Sequence, residues 1–154
     1  MTRMLRNTLG LVLAGTVITV ASAAISPTPV TKPIAIKVYK TPQCGCCKAW
    51  VTHLRNNGFQ VETMDLPDLS LVKQKYGVKA ALQSCHTAVV NGYVVEGHVP
   101  ADVIRKLLRE RPAVAGVAVP GMPAGSPGME GASKQAYDVY TFDRAGKAQV
   151  YAHR

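Results

Sequence analysis

The sequence predicts a mixed α/β domain, and three observations carry that expectation. A β-branched run, Ile34-Ala35-Ile36-Lys37-Val38-Tyr39, passes through a turn into a helical pattern and then into an alternating run from Phe59 to Met64. Asn91-Gly92 stands between two valine-rich runs, the strongest short-range signal for a hairpin. Pro100 then opens a segment with apolar residues on one helical face and basic residues on the other.

Each element follows from its own residues. Thr41-Pro42-Gln43-Cys44-Gly45 is turn chemistry, and it opens a helix in which Cys47, Trp50, Val51 and Leu54 share a face until Asn57-Gly58 closes it. Pro67-Asp68 starts a short helix with Leu69, Val72 and Tyr76 on one side, and Gly77 ends it. Two strands joined through a helix imply parallel pairing and a right-handed crossover. Thr87-Ala88-Val89-Val90 and Tyr93-Val94-Val95-Glu96 form the hairpin. In the last helix Val103, Ile104, Leu107 and Leu108 oppose Arg105, Lys106 and Arg109, and Pro112 stops it. Residues 113–136 lose periodicity and collect Pro120, Pro123 and Pro127 with Gly121, Gly125, Gly128 and Gly131, a loop too long to lack a purpose. Residues 137–142 and 148–152 read as a terminal hairpin packed on the same domain.

Composition narrows the function classes. The chain has 154 residues, 47% hydrophobic and 18% charged, which excludes disorder and leaves room for one domain. Its net charge is +9, but the basic residues are scattered without an aromatic-studded stripe, so nucleic acid is not expected as a partner. The one long apolar run lies at the start. Arg3 and Arg6 precede Leu9 to Val20, and Ala21-Ser22-Ala23 is a small-residue cleavage signature. Residues 1–23 therefore read as a secretory signal peptide, 24–33 as a flexible leader and 34–112 as the main domain, followed by the 113–136 loop and the 137–154 hairpin. Export to the periplasm is expected, with no stable membrane insertion after cleavage.

All four cysteines follow that signal: Cys44, Cys46, Cys47 and Cys85. In an oxidising compartment thiols pair or hold metal. Three cysteines in four positions are not the spacing of a two-bridge scaffold, although an ordinary disulfide with two spare thiols remains open. A thiolate at a helix N-terminus is stabilised by free N–H groups and the helix dipole, which makes Cys46 and Cys47 reactive or ligating.

The order β-α-β-α-β-β-α, with cysteines where the first strand becomes the first helix, resembles the thioredoxin fold, here with an appended Gly/Pro/Met loop and a C-terminal β-hairpin. Cys44 and Cys47 stand at CxxC spacing, and Ser84-Cys85-His86-Thr87 occupies the place where thioredoxins carry a proline facing the cysteines. The resemblance implies that His86 and Cys85 face the Cys44–Cys47 loop.

A third neighbouring thiol hinders dithiol exchange by offering a rival disulfide, but suits a soft metal. Zinc would accept Cys44, Cys46, Cys47 and His86. Copper is favoured by Met122 and Met129, whose thioethers sit in the Gly/Pro loop where nothing local asks for an apolar side chain. Other readings stay open: His86 as a core histidine, His98 as a turn residue, and both methionines as packing. Trp50 reads as core or as a shield for the site, and His53, two turns beyond the cysteines, as aimed elsewhere.

Four motifs in order are similar to the exported domain-of-unknown-function 411 family, whose characterised members are CopG-type copper-resistance proteins. They are Tyr39 to Cys47, Ser84 to Thr87, Gly92 to Pro100, and Val119 to Pro123 through Gly128-Met129-Glu130. The resemblance spans residues 34–154. It implies a periplasmic, thioredoxin-like, copper-binding protein whose CxCC cysteines, Cys44, Cys46 and Cys47, hold a multinuclear copper centre. Cys85, His86, His98, Met122 and Met129 match the family motifs as further metal-site candidates. It also implies a copper oxidoreductase role, cycling Cu(I) and Cu(II) in copper detoxification beside other periplasmic resistance proteins. The rival readings are a thiol-disulfide oxidoreductase using Cys44 and Cys47, and a zinc-binding module.

Overall fold

Alternating Ile36 and Val38 are buried while their neighbours reach the surface, so the first strand, β1 (Ile34–Lys40), presents one face to the core. The computed structural model describes residues 32–154; the expected signal peptide and most of the leader lie outside them. After β1 come α1 (Gly45–Asn56), β2 (Phe59–Asp65), α2 (Ser70–Lys75), a single 3-10 turn at Ala80–Leu82, β3 (Thr87–Val90), β4 (Tyr93–Glu96) and α3 (Ala101–Glu110). Three more strands complete the chain: β5 (Gly116–Ala118), β6 (Asp138–Phe142) and β7 (Ala148–His153).

The seven strands form one sheet in the order β2-β1-β3-β4-β5-β6-β7. β2 runs parallel to β1, from Ile34 opposite Phe59 to Lys40 opposite Asp65, as a strand-helix-strand unit requires. β3 lies antiparallel on the other side of β1, with Tyr39 opposite Thr87. The β3–β4 turn uses Asn91 and Gly92 at φ of 47° and 85°, the pair of positive angles that a two-residue hairpin needs. β5, inside the stretch read as aperiodic, pairs parallel with β4 and antiparallel with β6. The sheet is thereby continuous from the first strand to the terminal hairpin.

Adjacent residues of β4 show how both faces are covered. Val95 joins Trp50, Val51, Leu54, Ile104 and Leu107 in the core under α1 and α3, while Val94 joins Val78, Leu82 and Phe142 on the opposite face. Each fully buried side chain of this size contributes about 1.5–3 kcal/mol. The helical stripes expected from sequence face the core: Cys47, Trp50, Val51 and Leu54 are buried in α1, and Val103, Ile104 and Leu107 in α3, with Leu108 only partly buried. α2 begins later than its proline suggests, and its most buried residue is a lysine, Lys73. The architecture is thus mixed α/β, with the C-terminus of β1 and the N-termini of α1 and β3 meeting at one end.

Candidate metal centre

The site begins where β1 gives way to α1. Cys44 is the N-cap, and its sulfur accepts a hydrogen bond from the Cys47 backbone N–H at 3.2 Å. A helix start leaves such donors free, so sulfur replaces the usual oxygen cap. Cys44 and Cys47 are joined as a disulfide, while Cys46 and Cys85 are free. The Cys46 sulfur lies between the others, 3.4 Å from Cys44 Sγ and 3.7 Å from Cys85 Sγ. Cys47 Sγ is 3.7 Å from the carbonyl oxygen of Cys85.

Two imidazoles extend the cluster. His98 Nε2 is 3.0 Å from Cys85 Sγ, and its Nδ1 is 2.8 Å from the Pro127 carbonyl oxygen. A carbonyl only accepts, so Nδ1 carries the hydrogen and the Nε2 lone pair points at sulfur. His86 Nδ1 is 3.3 Å from the same sulfur. Its Nε2 is buried without a hydrogen-bond partner among the described residues. The His86 ring is stacked 4.3 Å from Trp50 and meets His98 edge-on at 5.0 Å. Trp50 is held in turn by its indole N–H on the Val99 carbonyl at 2.9 Å. Cys44, Cys46, Cys47 and Cys85 form one group whose ligand atoms all lie within 4.8 Å, and Cys85, His86 and His98 form a second that shares Cys85.

Burial sets the protonation states. It pushes the Cys85 thiol up to about 12, helped by the neighbouring Cys46. Burial also holds His86 well below 6.5, with His98 and Lys73 acting in the same direction, and it lowers His98. Neutral imidazoles offer lone pairs, whereas a protonated thiol binds an ion only by giving up its proton. Donors of this kind suit a soft or borderline ion.

The thioethers are carried by the adjoining loop. Met122 is 53% exposed. It follows Gly121, whose backbone is tied to the Cys85 segment: Gly121 N–H donates to the Gln83 carbonyl at 3.1 Å, and Ser84 Oγ donates to the Gly121 carbonyl. Met129 is half-buried and follows Gly128, which lies against the first turn of α1. Cys44, Cys46, Cys47, Cys85, His86 and His98 therefore converge, whereas Met122 and Met129 are placed only by their loop, which is tied to the Cys85 segment at Gly121 and lies against α1 at Gly128. His53 serves elsewhere, its Nε2 accepting the Ala101 N–H at 3.1 Å where α3 begins.

Sequence reasoning missed the support behind Cys85 and His86. Glu96 at the end of β4 is fully buried and accepts from Ser84 N–H at 2.7 Å, from Thr87 Oγ1 at 2.6 Å and from Lys73 Nζ. Its contacts grip the residues on either side of Cys85-His86. Burial raises the Glu96 carboxyl, and the Lys73 ammonium with the Thr87 and Ser84 donors pulls it back. A lone acid in a valine-rich strand and a lysine on the inner side of a short helix were the available signals.

A thiol and imidazole cluster at the mouth of an α/β sheet defines a candidate metal-binding protein. Comparison with known proteins makes the class specific. The family model "Protein of unknown function, DUF411" matches residues 82–129. A solved structure of copper resistance protein CopG, form 2, is 51% identical, covers 80% of this chain and 99% of its own, and superposes with a TM-score of 0.76. Form 1 of the same protein is also 51% identical, with a TM-score of 0.75 over 80% of this chain and 98% of its own. No curated protein matches. The chain belongs to the DUF411 family of CopG-type proteins.

Proposed function

We propose that the protein is an exported copper-binding component of a copper-resistance system. The observation that carries this reading is the convergence of four cysteine sulfurs with the Cys85-bound imidazole of His98. Among divalent and monovalent biological ions, Cu(I) has the strongest preference for thiolate and thioether donors. Cys44, Cys46, Cys47 and Cys85 supply the thiolates, His86 and His98 the nitrogens, and Met122 and Met129 the thioethers from the loop. So many donors around bridging Cys46 favour more than one copper ion. The mixture of sulfur and nitrogen also supports interconversion of Cu(I) and Cu(II), since imidazole accommodates the oxidised ion.

The core order β2-β1-β3-β4, with α1 leaving β1 at the cysteines, supports the thioredoxin-like reading. The apolar run from Leu9 to Val20 and the CopG likeness support periplasmic residence. Among the described residues no helix is long and apolar enough to cross a membrane. Copper ions are the proposed partners, with exchange toward other periplasmic resistance proteins and none with nucleic acid.

The test is competition for Cu(I) against bathocuproine with the reduced protein and with Cys46→Ser. Loss of one bridging sulfur is expected to weaken binding at least tenfold, while circular dichroism stays unchanged. Equal affinity would overturn the reading. The Cys44–Cys47 disulfide favours a second reading, a thiol-disulfide oxidoreductase. Insulin reduction that survives Cys46→Ser and ignores chelators would support it. A zinc module is the third, marked by Zn(II) outcompeting Cu(I) for the same cysteines.

A further inference from the structure

A sulfur within a disulfide has no thiolate charge to offer an ion, so the Cys44–Cys47 bridge removes two of the four sulfurs from ligation. What remains includes Cys85, His86 and His98, whose donor atoms lie within 4.8 Å of one another. Cys46 and Cys85 are free with their sulfurs 3.7 Å apart, and His98 Nε2 stands 3.0 Å from Cys85 Sγ. The Pro127 carbonyl fixes the His98 tautomer from behind, as outer-shell acceptors do for metal-binding histidines. Cys85 with these two imidazoles, and the free Cys46 sulfur beside it, supplies enough soft and borderline donors for one Cu(I).

We propose that the Cys44–Cys47 bridge sets how much Cu(I) the chain holds: one ion at Cys85 and His98 while it is closed, and further ions once it is open. The proposal rests on the copper reading above. Opening takes two electrons from a dithiol donor. One donor thiolate attacks Cys44 Sγ, which is partly exposed, whereas Cys47 is fully buried. The Cys44–Cys47 bond breaks as a mixed disulfide forms on Cys44, and Cys47 leaves as a thiolate in the first turn of α1, where the dipole favours it. The donor's second thiolate then attacks its own sulfur in the mixed disulfide and releases Cys44. The donor ends as a disulfide, and its two protons pass to Cys44 and Cys47 or to solvent. In the closed state Cys44 Sγ already lies 3.4 Å from Cys46 Sγ, so its release would add a thiolate beside the free pair for a further ion.

The experiment is an anaerobic titration of the purified protein with Cu(I), read by bathocuproine competition. One sample keeps its bridge, confirmed by a count of two free thiols; the other is reduced with a dithiol that is then removed. The expected capacities are one ion per chain when closed and at least two when open. His98→Ala should weaken the closed-state ion about tenfold. Cys44→Ser/Cys47→Ser should hold one ion under either treatment; if that variant fails to fold, the two wild-type titrations decide. Equal capacity in the two wild-type states would overturn the gate and leave copper binding intact. No Cu(I) uptake in either state would overturn the copper reading and the gate together.

Discussion

Gly128 has a φ of +86°, and a Cβ there would meet the Cys46 carbonyl oxygen at 2.7 Å and the Trp50 amide nitrogen at 2.8 Å. A side chain would be strained and would also lift the loop from α1. Gly128→Ala is expected to cost about 1–3 kcal/mol in denaturant unfolding. It should weaken Cu(I) binding as well, because the neighbouring Pro127 carbonyl would retreat from His98. Unchanged stability would mean that the loop does not rest on the helix. His53 makes a separate claim. Burial lowers its pKa from 6.5, and its Nε2 must stay unprotonated to accept the Ala101 N–H. The unfolded chain therefore takes up more protons as pH falls below about 6.5, so stability is complete above that value and declines until the lowered folded pKa is passed. His53→Gln, which keeps an acceptor without titrating, should flatten part of the fall in Tm between pH 7 and 5; an unaltered slope would remove His53 from the acid response.

At the scale of elements, the loop before β3 is only as well placed as β4 and α2 allow. Glu96 holds Ser84 and Thr87 on either side of the Cys85-His86 pair, and Lys73 neutralises it. Glu96→Gln leaves a buried ammonium facing a neutral amide and is expected to cost about 3–5 kcal/mol. Pairing it with Lys73→Met should recover much of that loss in urea melts. A double variant no better than the single one would show that the charge pair is not what stabilises this corner. These elements also mark what the sequence could and could not express. The Asn91-Gly92 turn and the α1 and α3 stripes were legible because periodicity and turn chemistry are local. β5 was not, since Gly116-Val117-Ala118 is too short to alternate and is a strand only because β4 and β6 flank it. The Lys73–Glu96 pair was hidden for the same reason: a charge 23 residues from its partner looks like a surface residue until the sheet closes.

For the whole molecule, the sheet's strand order brings three separate segments to one end. Cys44, Cys46 and Cys47 arrive from β1 and α1, Cys85 and His86 from the entry to β3, and His98 from the exit of β4. The CxCC spacing disclosed the first three on its own, whereas the others needed the pairing of β1 with β3 and of β3 with β4 to become neighbours. Because every thiol in this assembly must lose a proton to bind an ion, Cu(I) affinity should fall as pH drops from 7 to 5, and a flat profile would mean that the cysteines are not the ligands. The most direct measurement is the metal content of protein exported by cells and purified anaerobically with no metal added, compared with that of Cys46→Ser. Copper retained by the first and lost from the second is the expected result. Protein that emerges without copper, and takes up none after reduction, would contradict the claim that these sulfurs are there to hold it.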